Sequence, residues 1–206
     1  RMPSERISAI PLAADDCFGG ADSAAVDRMR KKLGLDGPYV LHVGTNKPHK
    51  NLARLVEAWA GLPRDVQAAH TLALAGPHDP RYPQARLQAE RSGLRIRFLG
   101  RVSGDDLSAL YAGAQAFVFP SLYEGFGLPV LEAMASGAPV ACSNRPSLPE
   151  VVGAAALLFD PEQAQDMTAA LARLLSEPDL RAELARKGRE RAASFSWART
   201  DRKSVV

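Results

Sequence analysis

Short, nearly continuous apolar runs alternate along this chain with longer stretches in which apolar residues recur at helical spacing. Six runs read as strands: residues 39–43, 71–75, 96–99, 116–119, 139–142 and 156–159. Each is brief and nearly continuous in apolar character, which suits strands buried on both faces. The alternation predicts an α/β fold, a doubly wound open parallel sheet of Rossmann-like type with helices on both faces. Ligands of such sheets bind in the crevice beyond the carboxyl ends of the strands, where loops and helix N-termini gather. The residues that follow each strand are therefore the place to look for chemistry.

Helix boundaries carry their own signals. Ser103 followed three residues later by Asp106 has the pattern of a capping box, and Asp160 before Pro161 that of an N-cap with proline at the first helical position. A helix predicted over 161–176 places Ala164, Met167, Leu171, Leu174 and Leu175 at helical spacing, and Pro178 opens another that runs to about Ser194. Residues 7–11 are a short strand-like piece, followed by a polar stretch with Asp15, Asp16, Gly19 and Gly20. The pattern divides the chain into a linker with a first strand over 1–22, a Rossmann-like domain over 23–194 and a C-terminal helical tail over 195–206. In that tail Phe195 and Trp197 suit either core packing or contact with a partner segment.

Composition narrows the function classes. With 206 residues, 46% apolar and 24% charged, the chain has ordinary globular composition and enough length to bury its own core. No apolar run approaches the roughly 20 residues of a membrane helix. The N-terminus lacks the order of a secretion signal and opens at Arg1 as an internal boundary would, so a cytoplasmic location is expected. A net charge of +3, scattered until the last quarter of the chain, argues against a nucleic-acid partner. Cys17 and Cys142 have no paired spacing and are expected to be reduced thiols. His42, His70 and His78 show no metal-ligand spacing with the carboxylates, so a metal-independent site is expected; His42 lies inside a strand, as a satisfied core histidine would.

The densest chemistry follows the strand at 116–119. Here Glu124, Gly125, Phe126, Gly127, Leu128 and Pro129 lead into a helix that contains Glu132. The two glycines permit a tight turn and a close approach of backbone to ligand, and Pro129 suits the first turn of a helix. The free N–H groups of such a helix start favour an anion, while carboxylates on either side can accept hydrogen bonds from sugar hydroxyls. The same spacing also fits a tight turn with two solvated glutamates. A second group follows the strand at 39–43, where Gly44, Thr45, Asn46, Lys47, Pro48, His49 and Lys50 combine a glycine turn with basic side chains, a weak pattern for diphosphate binding.

Glu124 and Glu132, with seven residues between them inside the run 119–137, resemble the E-x7-E signature of the large retaining glycosyltransferase family of GT-B architecture, usually called family 4. The likeness extends through residues 10–11, 43–51, 98–111 and 147–160. It implies that the chain is the C-terminal half of a GT-B architecture, with 23–194 the nucleotide-sugar-binding domain of a hexosyl- or mannosyltransferase-like enzyme. Glu132 would then hold the ribose hydroxyls, and Glu124, Gly125 and the backbone of Phe126 and Gly127 the donor sugar. Lys50, Gly44 and the helix start at Leu128 would hold the diphosphate, with Lys50 and Glu124 catalytic. The base would lie near Gly100 and Val102.

The resemblance implies no cofactor beyond the nucleoside-diphosphate sugar itself. It also implies an N-terminal acceptor-binding domain as partner, and peripheral attachment of the full-length enzyme at the inner face of the membrane. Thr45 stands where many members have arginine, which leaves Lys47 or His49 to supply the second phosphate contact; Ala154 stands where aspartate is frequent. Two other readings share these residues: a non-catalytic sugar-nucleotide-binding module, and a sugar-nucleotide epimerase or phosphorylase of the same architecture. A dinucleotide oxidoreductase is disfavoured, because no strand is followed by a G-x-G-x-x-G turn.

Overall fold

The computed structural model describes residues 12–198. Strands β1 (Tyr39–Val43), β2 (Thr71–Ala75), β3 (Ile96–Gly100), β4 (Ala116–Phe119), β5 (Val140–Ser143) and β6 (Ala156–Phe159) form one sheet in the order β3-β2-β1-β4-β5-β6. Every neighbouring pair is parallel. The helices are α1 (Ser23–Leu33), α2 (Leu52–Ala60), α3 (Arg64–Ala69), α4 (Gln84–Ser92), α5 (Gly104–Ala112), α6 (Leu128–Ala135), α7 (Leu148–Val152), α8 (Ala164–Ser176) and α9 (Pro178–Ala193).

The pleat divides the apolar strands between two cores. Tyr39, Leu41, Phe117, Phe119, Val140 and Cys142 face one side, with Met29 of α1, Leu110 of α5 and Leu131 of α6. Val40, Leu72, Leu74, Val118 and Ala141 face the other, with Leu55 and Trp59 of α2 and Met167, Leu171 and Leu174 of α8. This two-sided burial explains why the inner strands β1, β2, β4 and β5 read as nearly unbroken apolar runs, whereas Arg97 of β3 and Leu158 of β6, on the two edge strands, are exposed.

Two predicted helix starts are rearranged by tertiary partners. α8 begins at Ala164, not at 161, because Asp160 uses its side chain to accept from the backbone N–H of Glu162 (2.9 Å) and from Arg145 (3.0 Å). The five apolar residues predicted for its inner face are nevertheless all buried. Ser103 does occupy the N-cap of α5, but its hydroxyl donates to the Asp106 carboxylate at 2.9 Å instead of capping a backbone group, and Lys32 of α1 takes the same carboxylate.

At the start of the described residues, Asp15 forms a turn by accepting from the N–H of Cys17 (3.0 Å), and Ser108 Oγ donates to the Cys17 carbonyl (2.7 Å). The strand-like residues 7–11 and the tail beyond 198 lie outside the described residues. Of the tail's aromatics, Phe195 packs edge-on against Phe126 (6.0 Å between centroids), whereas Trp197 is exposed. Both cysteines are free thiols. Among the described residues no helix is long and apolar enough to cross a membrane.

Candidate functional site

The strand order reverses direction at β1. From β1 the chain steps outward to β2 and β3, then returns to build β4, β5 and β6 on the other side. Loops leaving β1 and β4 therefore part toward α2 and α6 and open a crevice between them, the usual ligand position in a doubly wound sheet.

Three glycines stand side by side where β1, β2 and β3 end. Gly44 N–H donates to the Ala75 carbonyl (2.9 Å) and Gly76 N–H to that of Gly100 (2.7 Å), which extends the ladder past the strands. Gly76 (φ +138°) and Gly100 (φ +68°) both occupy backbone conformations that side chains disfavour. The loop after β1 is then braced by Asn46, whose amide oxygen accepts from Asp79 N–H (2.6 Å) and whose amide nitrogen donates to the Asp79 and Tyr82 carbonyls (2.8 Å each). A short 3-10 turn, Pro48–Lys50, delivers Lys50, and Asn51 locks that turn by donating to the carbonyls of Pro120 (3.2 Å) and Pro161 (2.7 Å).

The β1 and β4 loops are stitched together across the crevice. Leu122 N–H donates to the His49 carbonyl (2.8 Å), which brings Lys50 Nζ to 2.6 Å from Glu124 Oε1. Each of these two side chains is only 14% exposed. The ammonium also lies 5.0 Å from the centroid of the Phe119 ring, within range of its negative face. Lone removal of either partner would leave the other charge poorly solvated, a far larger penalty than losing a surface pair.

Beyond Glu124 the turn runs into α6. Gly125 is exposed with open space around it; Gly127 (φ +109°) is the N-cap residue and packs so closely on Leu148 that a Cβ would lie 2.6 Å from its Cδ2. Gly127 offers no side-chain cap, so the positive end of α6 at Leu128 is left to face the turn. Ser147, held at φ +73°, steadies the turn by donating to the Glu124 carbonyl at 3.2 Å, which places the 147–153 segment against the same loop.

Glu132 sits one turn further along α6 and is paired differently. Its Oε2 accepts from the Tyr111 hydroxyl at 2.8 Å. Burial raises the carboxyl above its usual range; the Tyr111 hydrogen bond opposes that rise and the Asp15 charge adds to it.

Lys50 and Glu124 are thus in direct contact, with Gly44, Gly125, Phe126, Gly127 and Leu128 around them. Gly100 ends β3 at the far side of the glycine row, and the half-buried Val102 follows two residues on. Lys47 is exposed, and after the Arg81 hydrogen bonds its charge helps to hold the Asp79 carboxyl low. His49 contributes its carbonyl to the stitch.

The reading of His42 as a satisfied core histidine needs correction. Nδ1 lies 3.2 Å from the Val118 carbonyl, but the fully buried Nε2 has no partner among the described residues, and burial followed by the Lys50 charge lowers its pKa to about 4. Gly76 had no part in the sequence reading, and Asn46, Tyr111 and Ser147 fell inside the runs singled out there without a role of their own. Only Gly76 carried a local signal, a glycine directly after a strand. The other three act through partners remote in sequence.

Comparisons with known proteins agree with this fold. The family described as "Glycosyl transferases group 1" matches residues 25–191. The O-antigen chain mannosyltransferase B of Escherichia coli is 39% identical over 200 residues, which cover 95% of this chain and 52% of that protein. Among solved structures, the sucrose-phosphate synthase of Thermosynechococcus elongatus aligns at 30% identity with a TM-score of 0.79, covering 95% of this chain and 50% of that one. The Anabaena protein HepE, solved with UDP-glucose, shares the fold at 24% identity and a TM-score of 0.80, covering 89% of this chain and 52% of that one. The chain therefore spans about half the length of these relatives. Its sheet is that of a GT-B domain, and the chain belongs to the group 1 glycosyltransferases.

Proposed function

We propose that this chain is the donor-binding half of a retaining, family 4 glycosyltransferase, which holds a nucleoside-diphosphate sugar for transfer to an acceptor bound by a preceding domain. The observation that carries the reading is the 2.6 Å Lys50–Glu124 contact at the point where the strand order reverses, beside the uncapped start of α6. A cation and a helix N-terminus converging on one spot suit a diphosphate. Glu124 and the backbone of Phe126 and Gly127 hold the sugar, Glu132 accepts from the ribose hydroxyls, and the base lies toward Gly100 and Val102.

Negative charge grows on the diphosphate as the glycosidic bond breaks. Lys50 and the α6 dipole, already fixed in place, stabilise that charge more in the transition state than in the ground state. The diphosphate must share Lys50 with Glu124, which orients the carboxylate toward the sugar beside it. On this reading the chain alone binds donor and does not turn it over, and the full-length enzyme works in the cytoplasm, at the inner face of the membrane.

Calorimetry with nucleoside diphosphates tests the assignment. Lys50→Ala and Glu132→Ala are each expected to weaken binding by about tenfold or more, since a hydrogen bond to a charged group is worth roughly 1.5–3 kcal/mol. Unchanged affinity in both variants would contradict the proposal. A thermal-shift panel of nucleotide sugars then names the donor, because a ligand that binds the folded state raises its apparent stability.

A further inference from the structure

We infer that Tyr111 is a positioning residue for Glu132: its hydroxyl fixes the carboxylate through Oε2 and so aims Oε1 at the ribose. The inference rests on the reading of Glu132 as the ribose contact and extends it to a residue on another helix.

Tyr111 is fully buried on α5, and its hydroxyl donates to Glu132 Oε2 at 2.8 Å. The ring cannot swing away. Phe18 meets it edge-on (5.6 Å, 82°) from the segment ahead of α1, and Phe117 of β4 packs on it at 5.4 Å. A buried phenol needs an acceptor, and this one has taken a carboxylate that a ligand would also use. Among the described residues no second hydrogen bond reaches the Glu132 carboxylate. Oε1 is therefore the oxygen available to a ligand, while a glutamate without the tyrosine would have its side-chain torsions free to spread over several rotamers.

The same bond controls charge. A carboxylate is a better acceptor than a carboxyl, and burial at this site favours the carboxyl. Asp15, on the turn that Ser108 pins to α5, adds to that tendency, and the Cys17 thiol on the same turn feels the Glu132 charge. Tyr111 works against it by donating to the ionised form.

Tyr111→Phe keeps the ring contacts and removes only the donor. Binding of a ribonucleoside diphosphate is expected to weaken roughly tenfold, and the pH at which binding is lost on acidification is expected to move upward, because Glu132 then takes its proton at higher pH. A 2′,3′-dideoxynucleoside diphosphate, which has no hydroxyls for Oε1, is expected to bind both proteins equally. In Glu132→Gln, which cannot titrate, adding Tyr111→Phe is expected to move no acidic limb. Wild-type affinity and pH profile in a folded Tyr111→Phe protein would overturn the inference while leaving the ribose reading intact. If Glu132→Ala changed the affinities of ribo and dideoxy ligands by the same factor, the ribose reading would fall, and the inference with it.

Discussion

Replacing Gly76 by alanine is expected to lower stability by about 4 kcal/mol or more, in the exceptional range for one substitution. A Cβ at this position would lie 1.9 Å from the Gly44 carbonyl oxygen and 2.7 Å from its carbon. Both atoms belong to backbone at the end of β1, so no side chain can turn aside. The φ of +138° adds strain that alanine cannot relieve. Gly93→Ala is the matched control: its φ is also positive, at +66°, but nothing lies within 4 Å of the added carbon. Urea unfolding should separate the two widely, the control losing only about 1–2 kcal/mol. Similar midpoints would mean that the glycine row at the strand ends is not the constraint described here. Because Gly44 begins the loop that delivers Lys50, any Gly76→Ala protein that folds should also bind diphosphate poorly.

The second large effect is a loss of stability on mild acidification that depends on His42. Its native pKa is lowered to about 4 from an ordinary 6.5, by burial first and the Lys50 charge beside it. As pH falls through 6.5 the unfolded chain takes up a proton that the native chain refuses until near 4. The stabilisation is therefore complete above pH 6.5 and drains away toward pH 4, about 3 kcal/mol over the whole interval. Glu132, with its raised pKa, acts in the opposite direction, so the difference between proteins is the informative quantity. His42→Asn should show a flatter decline between pH 6.5 and 4.5 than the wild type in urea titrations. Parallel curves would place the acid sensitivity elsewhere.

Some parts of this molecule were written locally. The strands were legible because the inner four are buried on both faces, which turns each run apolar; only the ends at 99, 139 and 142 moved by a residue, and Pro139, lacking an N–H, instead lends its carbonyl to Phe117 (2.8 Å). The Glu124–Glu132 spacing and the cation at Lys50 were visible for a similar reason: glycine turns and helix starts declare themselves over a few residues. The Asp160 cap was misread because its side chain had two competing offers, the Glu162 N–H and Arg145, and only the second requires knowing that β5 and β6 are neighbours.

By itself, then, the sequence determined the layers, the positions of the loops and the residue types available for binding. Their partners were decided by the strand order. Setting β4 beside β1 put Glu124 on Lys50, 74 positions apart, and packing α5 against α6 put Tyr111 under Glu132. Periodicity records which side of an element is dry, a property of each segment alone. A hydrogen bond or an ion pair depends on which two segments meet, and that follows only from the way all six strands share one sheet.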